Sequence, residues 1–131
     1  MRGLILLAHG ARDGAWSRPF VDLAARVRAD HPGREVRNAY LEFIAPDMVS
    51  AGAELARAGC HAVDILPLFL GAGGHVRKDV PTLLQRLQAE WPGVHWTLHP
   101  AVGESPLLLD AMARIASGLH DAAALSREER A

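Results

Sequence analysis

Apolar positions along this chain fall into short unbroken runs that alternate with helically spaced stripes. Residues 3–8 (GLILLA) form a continuous apolar run, the pattern of a strand covered on both faces. Phe20, Val21, Leu23, Ala24 and Val27 then recur at helical spacing. They predict a helix over about 17–30, with Ser17 as N-cap, Pro19 in the first turn and Pro32-Gly33 as the stop. Residues 35–43 (EVRNAYLEF) read as a second strand. Pro46 opens a helix to about residue 58, ended by Gly59. Residues 62–70 (AVDILPLFL) are a third strand, broken by Gly71, Gly73 and Gly74, which lead to His75. Leu83, Leu84 and Leu87 predict a helix over about 80–91, stopped by Pro92-Gly93. A short strand over 94–98 comes next, and Ser105-Pro106 starts a last helix to about residue 119.

The predicted order is βαβαβαβα. Such alternation implies an α/β fold: one domain, a four-stranded parallel sheet and helices on both faces. The domain is expected to occupy 1–120. Residues 121–131, rich in alanine and charge, read as a helix end or flexible tail.

Composition narrows the function classes. A chain of 131 residues has room for one core. Half of it is apolar and 22% charged, as in folded proteins rather than disordered ones. A net charge of −1 favours neither nucleic acid nor an anionic membrane. No apolar stretch approaches the ~20 residues of a membrane span. The apolar segment at the start is short for a signal peptide, and His9 and Arg12 come directly after it. The single cysteine, Cys60, excludes an internal disulfide and a cysteine-based zinc site. It reads as a small buried hydrophobe, a usage that fits the cytoplasm.

Ligands of open α/β sheets bind beyond the carboxyl ends of the strands. The first strand delivers His9, Gly10, Arg12 and Asp13 to that edge, and the second delivers Glu42. The third delivers the glycine loop with His75, followed by Arg77 and Lys78. The fourth delivers His99, Pro100, Gly103 and Glu104. His9, Glu42 and His75, far apart in sequence, are therefore expected on one rim. Two imidazoles and a carboxylate suit a divalent metal, and they also suit proton abstraction near neutral pH. Arg12, Arg77 and Lys78 offer cations for carboxylates or phosphates.

Each group also has a plainer structural use. A strand-end histidine often only hydrogen-bonds, and Glu42, Arg77 and Lys78 could be solvated surface. The glycine loop matches neither common nucleotide fingerprint. His31, His61, His95 and His120 fall at helix ends or strand starts and read as structural. Trp16, Trp91 and Trp96 read as packing residues. Convergence of three compatible groups favours a site.

The stretches LLAHGARDG, AYLEFIAPDM and ILPLFLGAGGHVRKDVP resemble the class II tetrapyrrole chelatases, and among them the short CbiX-type sirohydrochlorin chelatases. The resemblance runs from the first strand through the fourth. It implies insertion of cobalt, iron or nickel into sirohydrochlorin with release of two protons, toward cobalamin or sirohaem. His9 and His75 then face the metal, with Glu42 beside them as ligand or proton relay. Gly10, Gly73 and Gly74 leave room for the flat ring, and Arg12, Arg77 and Lys78 meet its carboxylates. No cofactor beyond the metal substrate is implied. One α/β half per chain implies a homodimer. His99 is a candidate for an assisting role.

Three alternatives compete. The histidine phosphatases also end a first strand in His-Gly, but they need an arginine before the histidine, where this chain has Ala8. A flavodoxin-like binder needs a hydroxyl-rich phosphate loop after the first strand, which is missing. A non-catalytic metal or tetrapyrrole carrier would use the same residues and differs only in lacking turnover.

Overall fold

A computed structural model describes residues 1–71 and 73–119. Four strands, β1 (Arg2–Ala8), β2 (Arg34–Tyr40), β3 (Ala62–Pro67) and β4 (His95–Leu98), alternate with four helices, α1 (Arg18–Asp30), α2 (Met48–Arg57), α3 (Gly74–Glu90) and α4 (Pro106–Gly118). The strands form one parallel sheet in the order β2-β1-β3-β4. Ala8 pairs with Tyr40, Leu7 with Pro67 and Ile65 with Leu98, so the strands end at nearly one level. This is the expected architecture.

Strand order fixes where the helices go. The step from β1 to β2 runs one way across the sheet; those from β2 to β3 and from β3 to β4 run the other way. Right-handed crossovers therefore place α1 on one face and α2 and α3 on the opposite face. The packing agrees. On the α2/α3 face, Ile5, Leu7, Ile65 and Trp96 meet Met48 and Leu55 of α2 and Val80 and Leu87 of α3. On the α1 face, Leu4, Leu6 and Val36 meet Ala24. Gly52 lets α2 and α3 touch, because a Cβ there would press into Leu87 and Trp96. Cys60 is buried beside Gly3, as expected of a small hydrophobe; burial first, then the charge of Glu35, pushes its thiol pKa up.

Several boundaries differ from those the sequence predicts. β2 ends at Tyr40 rather than residue 43, because its partner β1 stops at Ala8 and the chain turns at Gly10. β3 ends at Pro67, which has no N–H for the ladder. α2 starts at Met48, with the Asp47 carboxylate accepting from the Ser50 N–H at 2.7 Å, so Asp47 and not Pro46 opens the helix. Ser17 does not cap α1; its hydroxyl donates to the Gly14 carbonyl at 2.8 Å, closing a 3-10 turn over Gly14–Ser17. α3 starts at Gly74, six residues before the expected position, and Pro81 lies inside it. His75, Arg77 and Lys78 are therefore helical rather than part of a loop. The expected tail, 121–131, lies outside the described residues, as does His120.

Two further features stand out. α4 buries none of its residues: Leu107 is 82% exposed, and Leu109 and Ile115 are also exposed. The expectation of helices on both faces is met by α1, α2 and α3 without it. The second feature is Asp64 in β3. Its carboxylate accepts from Arg34 at 2.8 Å and Arg2 at 3.1 Å, and lies 2.8 Å from His99 Nε2. Burial is the largest single influence on Asp64 and opposes its ionisation. The hydrogen bonds from His99 and Arg2, with their charges, together outweigh it and hold the carboxyl below its ordinary range.

A carboxyl whose pKa is depressed by folding stabilises the native state above its unfolded pKa, and that contribution is lost as pH falls. The unfolding midpoint in urea is expected to drop as pH falls through and below the ordinary aspartate range near ~4. Asp64→Asn should lower stability at pH 7 by about 1–3 kcal/mol and flatten that acid limb.

Candidate functional site

The rim chemistry begins with how β1 ends. Beyond Ala8, the His9 carbonyl accepts the N–H groups of Leu41 at 3.2 Å and Glu42 at 3.1 Å. Gly10 then turns with φ +99°, where side-chain-bearing residues are strained, and a Cβ there would overlap the Glu42 carbonyl oxygen. Gly10 was expected to make room for a ligand. The space it leaves is filled by the backbone of Glu42. Phe43 also has a positive φ, 68°, completing a reversal where the sequence pattern predicts strand.

This clasp brings two of the expected groups together. His9 Nε2 lies 3.6 Å from Glu42 Oε1, with both side chains about half exposed. At that distance they are an ion pair when His9 is protonated rather than a hydrogen bond. Phe69 stands edge-on to the His9 ring at 6.0 Å. The pair opens into a cavity of about 310 Å³ whose other walls are Leu41 and, from α3, Asp79, Thr82 and Leu83.

α3 supplies the opposite wall. Gly73 is its N-cap, and His75 is its second residue. Asp79 lies four positions after His75 along α3. Sequence reasoning did not assign Asp79, Thr82 or Leu83 to the site; a helix begun at residue 80 leaves Asp79 in a loop, and Leu83 entered only as a packing position. Once the helix starts at Gly74, the i, i+4 spacing from His75 is the signal. Among the described residues, no three His, Cys, Asp or Glu side chains gather closely enough to hold a metal ion. His9 and Glu42 make a two-group half-site that faces α3.

The remaining rim residues divide. The Arg12 guanidinium lies 4.9 Å from the centroid of the Phe43 ring, at the Glu42 corner of the site. A Cβ added to Gly73 or Gly74 would meet nothing within 4 Å, so the backbone at the start of α3 is open to a ligand. Arg77 lines a second cavity of about 280 Å³, with Phe69, Val80, His99 and Glu104. Lys78 is exposed on α3. Asp13 caps the 3-10 turn through the Ala15 N–H at 3.0 Å. His99 does not join His9: it borders the second cavity, and its ring nitrogen is engaged by Asp64. His31, His61 and His95 lie at a helix end or at strand starts, as expected. Trp16 packs on Phe20 and Tyr40. Among the described residues, no helix is long and apolar enough to cross a membrane.

The CbiX family model matches residues 3–117. A sirohydrochlorin cobaltochelatase of Methanococcoides burtonii is 25% identical over 83 residues, 63% of this chain and 63% of that protein. The chloroplastic sirohydrochlorin ferrochelatase of Arabidopsis thaliana is 24% identical over 110 residues, 84% of this chain but only 49% of its own length. Less than two thirds of either relative is therefore matched. The crystal structure of a CbiX protein from Marinobacter aquaeolei VT8 superposes with a TM-score of 0.77 at 31% identity, covering 100% of both chains.

Gly10→Ala tests the clasp. Positive φ and the overlap with Glu42 are expected to lower stability by about 2 kcal/mol or more, read as a shift of the urea midpoint.

Proposed function

This chain belongs to the CbiX family, and on that premise we propose that it is a chelatase that inserts a divalent metal, cobalt or iron, into sirohydrochlorin. The observation that carries this reading is the His9–Glu42 pair, held at the sheet's carboxyl edge and facing α3, the helix that has His75 as its second residue. The names of the two curated relatives support the substrate and both metals.

The chemistry needs three things. The metal must exchange its waters for protein ligands, the ring must lose two N–H protons, and the metal must move from the protein to the ring nitrogens. Neutral imidazoles at His9 and His75 serve the first, because they bind divalent metals yet release them. Glu42, 3.6 Å from His9, stabilises the imidazolium once His9 takes a proton from the ring. Asp79 lines the same cavity and offers a second carboxylate on the proton path. Half-exposed side chains let both protons leave to water. Arg12, Arg77 and Lys78 are cations for the carboxylates of the macrocycle, and the open backbone at Gly73 and Gly74 receives its flat face. The metal is a substrate here, and the reading invokes no separate cofactor.

Two further elements belong to the proposal. The site occupies one wall of an open edge, so a second copy of the chain is proposed to complete the enclosure as a homodimer. The cytoplasm is proposed as the compartment, since the lone buried thiol fits a reducing one.

The test monitors visible absorbance of sirohydrochlorin mixed with Co²⁺ or Fe²⁺ and a small amount of protein. Spectral conversion over many turnovers is expected. His9→Ala and His75→Ala should each slow it by about 100-fold or more. Conversion that stops at one equivalent would instead mark a carrier, and full activity in both variants would overturn the site.

A further inference from the structure

The loop from β2 to α2, residues 41–46, is tied down along its backbone. Leu41 also donates to the Ala8 carbonyl at 3.1 Å, and Tyr40 donates to the Pro46 carbonyl at 3.0 Å. Inside the loop, Ile44 donates to the Glu42 carbonyl at 2.8 Å. That bond joins residues two apart around Phe43, whose φ is 68°. A γ-turn with positive φ at its centre is the rare, strained form. Glycine adopts it freely, whereas phenylalanine does so against its own Cβ.

Packing does not account for that ring. Phe43 is 58% exposed and belongs to neither core cluster. The group set over its ring is the Arg12 guanidinium, 4.9 Å from the centroid. Arg12 is itself exposed. Arg2, Arg34, Arg37 and Arg86 each face a carboxylate. Among the described residues, no carboxylate faces Arg12. A single exposed apolar residue is ordinary. One kept at a strained φ, under an unpaired cation, points to a contact with something outside the domain.

The surroundings say what that is. A hollow of about 430 Å³, lined by Phe43, Ile44 and Asp47, shares Leu41 and Glu42 with the His9 cavity. Sites for small molecules span roughly 300–1,000 Å³, and a tetrapyrrole with carboxylate arms needs the upper part of that range. The His9 cavity, about 310 Å³, does not contain it alone, and the neighbouring hollow continues the space. Glu42 and Asp47 border this hollow and repel an anionic arm. Arg12 is the cation at that corner that admits one.

We propose that Phe43 and Arg12 act as one unit that grips the edge of the tetrapyrrole, the Phe43 ring packing on its apolar rim while Arg12 takes a peripheral carboxylate. The proposal rests on the chelatase reading and adds the residue that sets where the macrocycle lies. Arg12 on its own is a flexible cation. The ring beneath it holds the guanidinium in place, so less freedom is lost when the carboxylate arrives. Phe43 follows Glu42 directly in the chain, and Glu42 lies 3.6 Å from His9. One short, bonded loop therefore sets the register of the macrocycle against the proton acceptor.

Phe43→Gly removes the ring and the strain together. Its urea midpoint is expected to match or exceed the parent's; a clearly lower one would make Phe43 an ordinary packing residue and overturn the grip. Binding of metal-free sirohydrochlorin is followed by quenching of tryptophan fluorescence. Phe43→Gly and Arg12→Ala are each expected to weaken it about 10-fold. The double variant should lose little more than either alone, because each change removes the other's partner. Phe43→Tyr should restore binding, and in turnover the loss is expected in KM rather than kcat. Unchanged binding in Phe43→Gly, or fully additive losses, overturns the grip and leaves the chelatase reading standing. A binding loss that tracks a change of oligomeric state in sedimentation would assign Phe43 to a contact between copies and overturns the grip as well. A parent chain that binds no sirohydrochlorin overturns both.

Discussion

β1 carries the rest of the molecule. It is bonded along both edges, to β2 and to β3, and residues 4–8 are buried on both faces. A strand enclosed in this way has no freedom in register, because a slip of one residue would turn its apolar side chains to the wrong layers. Its last residue, Ala8, is therefore a fixed point, and so is the His9 carbonyl that anchors Leu41 and Glu42. The imidazole and the carboxylate of the site inherit their spacing from the most rigid element of the fold.

The two acids near the sheet show how burial assigns roles. Asp64 is enclosed, bonded to two guanidinium groups and an imidazole, and held ionised. Its hydrogen-bonding capacity is consumed internally, which suits a tie between strands. Glu42 is half exposed and stands apart from His9 by more than hydrogen-bond distance. It keeps capacity for an incoming ligand or a proton. The same contrast separates the histidines: His99 is occupied by Asp64, whereas His9 faces a cavity.

Much of this was legible in the chain. Continuous apolar runs at 3–8 and 62–70 marked central strands, and the βαβ alternation implied the parallel sheet and its working edge. His9 and Glu42 came from that edge alone. The hidden part depended on contacts between distant residues. The start of α3 at Gly74 was obscured by Pro81, a residue that ordinarily sits in a first turn but here lies deeper in the helix. With that boundary wrong, Asp79 had no assigned face. Gly10 read as open space because no local pattern shows that Glu42 folds back against it. His99 read as a rim residue because its partner, Asp64, lies a whole crossover away. α4 was marked by Ser105-Pro106 at its start, but that signal says nothing about which surface receives the helix.

The position of the site along the chain has an evolutionary consequence. His9, Glu42, His75 and Asp79 all precede the end of α3 at Glu90. The segment beyond adds an edge strand and a helix, and none of the groups that meet around His9. The candidate site and most of the core are thus written together in the first two thirds of the gene, ahead of β4 and α4. Selection can redraw the last third of the chain while His9, Glu42, His75 and Asp79 stay untouched.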